Sequence, residues 1–487
     1  MSKSLIIVGG GVAGLSAGCY AQMNDFNSEI CEMRDVTGGL CIAWQRKGFT
    51  FDPCIHWLVG CSPKSKMYAV WDELGVVQDT QFINYDYFNT ALDERGNRFI
   101  NYTDPDKLRE HMISFSKEDE KLINSITRDI QKLMNIAMPI DFSIRDLITM
   151  LQMVRMFNKY SMPVSEFAAK FKNPVLSNLF KCAFDWHDQS VVFLLWMLAR
   201  MGSGEAGYPI GGSRPFAQSI EERYLALGGI ISYKSRVDKI LVENDTAVGV
   251  RLADGTEKRS DNVLSAADGH TTIFKWLDGK YGNDKIKGFY ETLEPFPPLV
   301  FVSLGINGDY SHEPHWLWFP LKTPIEIGGE QIQRLWLRNH SMDKTLAPEG
   351  KTVFSVMIPS SYDYWAQLED KQEEYLVEKK RIEGAVINAI SEVYPDIKNN
   401  VDAIDVATPL TFVRYTGNWR GSYEGWLFTK KTMSIRMPLT LPGLSHFYMA
   451  GHWVSAGGGL PAAAITGRAA VKLMCKNEKM RFVTTKL

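Results

Sequence analysis

Cysteine is scarce in this chain. The 487 residues hold seven, at Cys19, Cys31, Cys41, Cys54, Cys61, Cys182 and Cys475, with no C-x-x-C pair among them. Such spacing argues against a zinc or dithiol motif and for a reduced, cytoplasmic setting. Long apolar runs are missing too. The longest, Val191–Ala199, is nine residues, where a bilayer span takes about 20. The first residues offer one lysine and a short apolar run that passes straight into glycines, without the h-region or cleavage site of a secretory signal. No charge of one sign prevails: 54 Lys and Arg against 56 Asp and Glu leave −2, too balanced a surface for a nucleic-acid footprint. Repeats and low-complexity segments are absent, and no Ser-His-Asp set, acid pair or metal-ligand cluster stands out, so no metal is expected.

What remains is an ordinary globular composition, 45% apolar and 23% charged, long enough for two or three domains of about 150 residues. Aromatic residues make up 12%, with 13 Trp and 20 Met. These suit a plain core as well as an apolar binding site.

The periodicities organise the chain. Ser4–Val8 reads as a strand, a helix begins near Val12, and a second strand ends at Glu32, the opening of a βαβ unit. Residues 105–200 have helical period, broken at Pro139, Pro163 and Pro174, and read as a helical insertion. From Gly211 the pattern returns to a helix over Phe216–Leu227 and strands over Ile230–Tyr233, Val237–Val242 and Ala247–Leu252, with a turn at Asp254-Gly255. Strands at Leu299–Leu304 and Val353–Ile358 and a helix from Gln372 to Glu392 belong to a second region. A strand at Phe447–Ala450, a glycine run and a helix over Pro461–Cys475 end the chain. The expected fold is therefore α/β, with a doubly wound, Rossmann-like domain built from 1–75, 211–285 and 439–487. A mixed sheet-and-helix domain takes 76–210 and 286–438.

Gly9-x-Gly11-x-x-Gly14 lies between the first strand and helix, the context that makes this pattern informative. The first glycine permits the tight turn, the second lets a pyrophosphate approach the backbone, and the third lets helix and strand pack closely. The helix N-terminus adds free N–H groups and partial positive charge. Glu32, 18 residues past Gly14, can accept both ribose hydroxyls and would repel a 2′-phosphate. A second glycine pair at Gly38-Gly39 and the terminal glycine turn favour FAD over NAD, since a plain dehydrogenase needs neither.

With these pieces in place the chain resembles the flavoprotein family of phytoene desaturases, carotenoid isomerases and retinol saturases. The resemblance rests on LIIVGGGVAGLSAG at the start, GG at 38–39, GFTFD at 48–52, YPIGGS at 208–213 and LGGIISYKSRVDKI at 227–240. It continues through SAAD at 265–268, ATPLTFVRYTGNWRGSYEGW at 407–426 and FYMAGHWVSAGGGLPAAAITGRAA at 447–470. It implies an FAD domain of discontinuous segments, a substrate domain capping the flavin, and peripheral membrane association. By position it implies that Gly9, Gly10, Gly11, Val12, Ala13 and Gly14 hold the pyrophosphate, Glu32, Met33 and Arg34 the ribose region, and Gly38, Gly39 and Leu40 the phosphates and flavin linker. Val237 would meet the adenine, with Ala267 nearby. Gly451, His452, Gly459, Leu460, Pro461 and Ala462 would hold the ribityl chain and pyrimidine edge. Two positions depart from the pattern: His452 replaces the usual acid, and Cys54 replaces a glycine.

His56 and Trp57 are expected to line the reaction chamber, with His56 and Glu424 as candidate catalytic groups. Tyr423, Arg414 and Tyr415 lie close in sequence, and a loop-stabilising role is the alternative for all four residues of the 414–424 segment. The expected reaction is flavin-dependent desaturation of a long apolar polyene or isoprenoid; the same site would serve a double-bond saturase or a cis-trans isomerase. An amine-oxidase-like enzyme and a non-catalytic prenyl-binding escort are the other readings. Phe142–Tyr160 reads as an apolar helix with a narrow stripe of Arg145, Thr149, Gln152, Arg155 and Lys159. It is either an interfacial helix at anionic lipid or a buried helix with a solvated edge. A peripheral membrane contact and a hydrophobic small-molecule substrate are thus the expected partners, and the oligomeric state is left open.

Overall fold

The computed structural model describes residues 3–136, 140, 146–182, 189–433, 435 and 437–485. Among them the chain builds two main sheets. The first is a five-stranded parallel sheet in the order Ile230–Ser232, Asn27–Cys31, Ser4–Val8, Asn262–Ser265, Phe447–Met449. Its central strand, SLIIV, is apolar because both faces are covered, as parallel sheets require; Leu5, Ile6, Ile7 and Val8 are all buried. The opening helix Val12–Met23 crosses to the second strand, and the helix Ser213–Ala226 leads into the edge strand. The terminal helix Gly459–Asn477 follows the last strand and packs against the opening helix. Three stretches far apart in sequence therefore share one sheet.

The second sheet has seven strands in the order Val401–Ala407, Leu299–Ile306, Thr352–Pro359, Glu330–Asn339, Trp316–Ile327, Tyr87–Leu92, Arg98–Tyr102. Its pairs are antiparallel except where Leu317 and Trp318 meet Thr90 and Ala91 in parallel. The helix Gln372–Ile390 covers one face with Ile382, Val386 and Ile390. The region 105–202 is helical as its period predicts, with helices at Pro105–Phe115, Glu120–Met134, Asp146–Tyr160, Val164–Ala168, Pro174–Cys182 and Val191–Gly202. The apolar run Val191–Ala199 is buried core within the last of these rather than a surface.

One element departs from the sequence division. The hairpin Trp44–Arg46 and Phe49–Phe51 lies inside the first segment but packs on the seven-stranded sheet. Phe49 and Phe51 join Leu346, Val353 and Ala403 in one buried cluster, and Trp44 Nε1 donates to Asp405 at 2.6 Å. Gly305 makes room for this docking, since a Cβ there would stand 2.5 Å from the Phe49 ring. The hairpin thus ties the two sheets together. Gly305→Val should force Phe49 out and destabilise the protein by about 1–3 kcal/mol, read as a lowered midpoint in urea unfolding; an unchanged midpoint would remove the hairpin from this bridging role.

Candidate active site between the two sheets

The glycine fingerprint sits where the parallel sheet releases its central strand. Gly9 has φ +97°, a conformation L side chains rarely adopt, and a Cβ on Gly14 would meet the Gly9 carbonyl oxygen at 1.9 Å. Turn and helix can approach this closely only with glycine at both places. Gly11 caps the opening helix without any side-chain partner for the helix N–H groups. At the other end of the chain Gly457, Gly458 and Gly459 all have positive φ, and Gly458 likewise caps the terminal helix without a side-chain partner. Both bare helix N-termini line the same cavity of about 1110 Å³. Two such ends carry about half a positive charge each and present free donors, which is the chemistry a pyrophosphate needs.

Glu32 is buried and takes the Gly10 N–H at 2.7 Å and the Arg34 N–H at 2.8 Å. A carboxylate has further lone pairs, and Glu32 also lines the cavity. Burial pushes its carboxyl up from the ordinary range. Of the expected cofactor residues, Gly9, Gly11, Val12, Ala13, Glu32, Met33, Gly38, Gly39, Leu40, His56, Trp57, Val237, Ala267, Gly451, His452, Gly459, Leu460, Pro461 and Ala462 line one continuous wall. Gly10, Gly14 and Arg34 stand behind it. Gly10 gives its N–H to Glu32, Gly14 serves packing, and Arg34 lies 4.4 Å from the Tyr415 ring centroid. That contact closes the helix Pro409–Thr416 over the nucleotide end, so Arg414 and Tyr415 border the cavity at its rim.

The two sequence blocks GFTFD and YPIGGS meet in space. Asp52 accepts the Cys54 N–H at 2.9 Å and the Ser213 hydroxyl at 2.6 Å, and Ser213 Oγ accepts the Ile55 N–H at 3.0 Å. Gly212, φ +71°, is required there because its Cβ would fall 2.2 Å from Asp52. This knot fixes the Cys54–Trp57 segment along the cavity.

Beyond the nucleotide end the cavity becomes an aromatic and methionine-rich chamber. Trp57, Trp316, Phe193, Phe428, Met153 and Phe157 come from four separate regions of the chain. His56 presents Nε2 to the Met357 thioether at 3.1 Å, while burial and the Arg338 guanidinium hold its imidazole well below the usual range, so it is neutral at pH 7. Arg338 itself is buried, donates to the His56 carbonyl at 3.4 Å and lies over Trp316. His452 shares Asn418 with Trp453 and is pushed down to about 4 by burial. Glu424 and Tyr423 also face the chamber, and desolvation lifts the Glu424 carboxyl to about 7. No group of three or more His, Cys, Asp or Glu able to hold a metal exists among the described residues.

Sequence reasoning missed Ser235 and Arg236, the neighbours of Val237 at the adenine end, and Asn418, which anchors His452. The first two could have been found from the position of Val237. Arg338 carries no local signal, because its role depends on strand pairing across the second sheet.

A parallel sheet with two glycine-capped helix ends over an apolar chamber defines a dinucleotide-dependent oxidoreductase. The model of the flavin containing amine oxidoreductase family matches residues 12–475, and the chain belongs to that family: it is an FAD-dependent oxidoreductase. Curated relatives include the chloroplastic prolycopene isomerase of Daucus carota, 23% identical over 95% of this chain and 78% of that protein. The 4,4'-diapophytoene desaturase of a Methylomonas species is 23% identical over 99% and 97%. Among solved structures, an oxidoreductase from Methanosarcina mazei superposes with TM-score 0.61 at 16% identity, covering 96% of this chain and all of that one. A redesigned putrescine oxidase gives 0.62 at 13%, covering 98% and 99%; both structures show the fold alone. The uncapped helix ends, the positive-φ glycines and the Glu32 carboxylate on one wall fit FAD. Gly14→Val should yield protein without a flavin spectrum, because the helix must move off Gly9; a yellow variant with normal flavin content would contradict the packing argument.

Proposed function

We propose that this enzyme acts on a long apolar polyene or isoprenoid, and that it desaturates it. The observation that carries the reading is the chemistry of the chamber: aromatic rings and methionines along its walls, with the Glu424 carboxyl lifted to about 7 beside them. Relatives named as carotenoid desaturases and isomerases, matched over nearly the whole chain, support the substrate class. When bound, FAD supplies a two-electron acceptor for hydride from a carbon beside a conjugated chain. The protein's own tasks are then few. Trp57, Trp316 and Phe428 hold a planar chain and exclude water. Glu424, half-ionised near neutrality, takes the proton that must leave the substrate. Neutral His56 and His452 add no positive charge that would oppose a cationic substrate.

A second reading, cis-trans isomerisation, is favoured by the prolycopene isomerases, matched at 23–24% identity over 95% of the chain. Saturation would use the same chamber in reverse. A chamber walled by hydrocarbon and thioether groups is a poor host for a small charged amine, which disfavours the amine-oxidase-like reading. Family membership leaves the escort reading without support.

Substrate entry is assigned to the helix Asp146–Tyr160, and lipid is the proposed contact. Its inner residues Met153, Met156 and Phe157 line the chamber. Its outer face carries Leu147, Ile148, Leu151 and Val154, which are 51–70% exposed. An exposed apolar ridge backed by an apolar cavity suits a molecule that leaves a membrane without crossing water. The positive stripe is narrower than the sequence suggested. Lys159 is held by Asp129 at 2.6 Å and by Ser125, so it anchors the helix to its neighbour, and Arg145 and Phe142 lie outside the described residues. Arg155 remains exposed. No described helix is long and apolar enough to cross a membrane.

Mixing the oxidised holoenzyme anaerobically with candidate polyenes should bleach the flavin in proportion to new double bonds. Isomerisation without net bleaching would decide for the second reading, and bleaching by small amines alone would overturn both. For the wild type, turnover should rise with pH through about 7 as Glu424 ionises; Glu424→Gln should lower kcat by roughly 10²-fold and flatten that profile. Leu147, Ile148 and Leu151 changed together to Glu should abolish sedimentation with anionic liposomes while leaving the flavin spectrum intact, and unchanged sedimentation would refute the lipid contact.

A further inference from the structure

The spacing of the cysteines hides a pair that the fold assembles. The hairpin register aligns Trp44 with Phe51, Gln45 with Thr50 and Arg46 with Phe49. The paired stretch ends at Trp44 and Phe51, three residues short of Cys41 on one arm and of Cys54 on the other. The two side chains come near enough to interact.

Ser213 holds both residues at this approach. The Cys41 thiol donates to the Ser213 carbonyl at 3.5 Å, and the Ser213 hydroxyl takes the N–H of Ile55, next to Cys54, at 3.0 Å. Asp52 fixes Cys54 itself through the backbone at 2.9 Å. Both cysteines are free, and both line the flavin cavity between Leu40 and His56. Cys41 is buried, and its thiol is raised by desolvation and by its neighbour, so it rests protonated; Cys54 is the more open of the two. Simple packing would not require two sulfurs near enough to interact along the wall that faces the coenzyme.

We propose that Cys41 and Cys54 form a redox-active dithiol that exchanges two electrons with the bound flavin. In the forward step two S–H bonds break and one S–S bond forms between Cys41 and Cys54. The two electrons and two protons released convert oxidised FAD to its reduced form. In reverse, reduced FAD opens the disulfide and returns two thiols. The pair is a two-electron store beside the coenzyme, able to take up electrons left by a desaturation or to keep the flavin reduced for an isomerisation. The proposal rests on flavin occupancy of this cavity, and it is indifferent to which polyene is used.

The test uses the wild-type holoenzyme. After oxidation with diamide and desalting, anaerobic titration with dithionite should consume about four electrons per flavin, against about two for Cys54→Ser treated alike. Alkylation in denaturant should label all seven thiols of the reduced enzyme and two fewer after diamide, with one peptide joining positions 41 and 54. Should Cys54→Ser fail to hold flavin, the wild-type titration and the linked peptide still decide. A yellow enzyme whose titration ends at about two electrons, linked peptide or not, overturns the dithiol and leaves the flavin assignment intact. A colourless enzyme that FAD does not reconstitute overturns both.

Discussion

The structure depends on one close crossing. The opening and terminal helices meet where a Cβ on Gly467 would lie 2.5 Å from the Ala13 carbonyl oxygen, and Ser16 donates to the Ala464 carbonyl at 2.8 Å across 448 positions of sequence. Only a residue without a side chain allows these backbones to approach so closely. The consequence is electrostatic as well as steric. Two helices that converge N-terminus to cavity bring two like partial charges together, an arrangement that costs energy unless an anion lies between them. A pyrophosphate, with its negative charge and many acceptors, removes that cost and satisfies donors left without a side-chain cap. The crossing therefore couples completion of the fold to coenzyme binding.

How much of this could be read from the residues follows from how local each signal is. The strand Ser4–Val8, the glycine turn and the helix from Val12 are specified within about twenty residues, and all three fall where the pattern puts them. The terminal helix starts at Gly459, two residues before the Pro461 start that the sequence suggests, because proline is accommodated inside a first turn, where its missing N–H has no partner to lose. The helix expected from Phe216 begins at Ser213, since the Asp52–Ser213 bond organises its first turn from another part of the chain. Long-range pairing is what the sequence leaves unread. Nothing near Cys41 announces Cys54, nothing near Phe49 announces Gly305, and the Lys159 charge looked free until Asp129, thirty positions earlier, was folded beside it.

The chamber shows the same division. Its walls come from helices of the 105–202 region, strands of the second sheet and the loop after the helix Pro409–Thr416, so each ring is an ordinary core residue in its own neighbourhood. Their convergence gives the cavity its predominantly apolar wall. Burial in that wall in turn sets the ionisation of Glu424. A carboxyl facing hydrocarbon loses the hydration that stabilises its ionised form, which is why Glu424 rises to about 7 with desolvation as the sole cause. The apolar chamber and the raised Glu424 carboxyl thus have one physical cause, and widening the chamber to admit water would weaken both.

Behind the chamber a buried cation orders the remaining ionisable groups. Arg338 sits between His56, His315 and His340, and burial together with its charge keeps all three imidazoles below their ordinary range, His315 and His340 near about 3. A buried guanidinium is costly to leave unpaired. Asp52 supplies compensating negative charge, and Asp343 accepts from Tyr208 at 2.9 Å and from the Gly211 N–H at 2.8 Å. The same Asp52 fixes Cys54, so the positive charge of the second sheet and the sulfurs of the first meet through one carboxylate. Such an arrangement places a fixed positive charge behind the chamber's near wall and keeps the three histidines neutral, while Glu424 across the chamber is lifted to about 7. Moving the cation would release His56, His315 and His340 from its field, which explains why a strand so far in sequence from the glycine fingerprint bears on the electrostatics of the wall beside it.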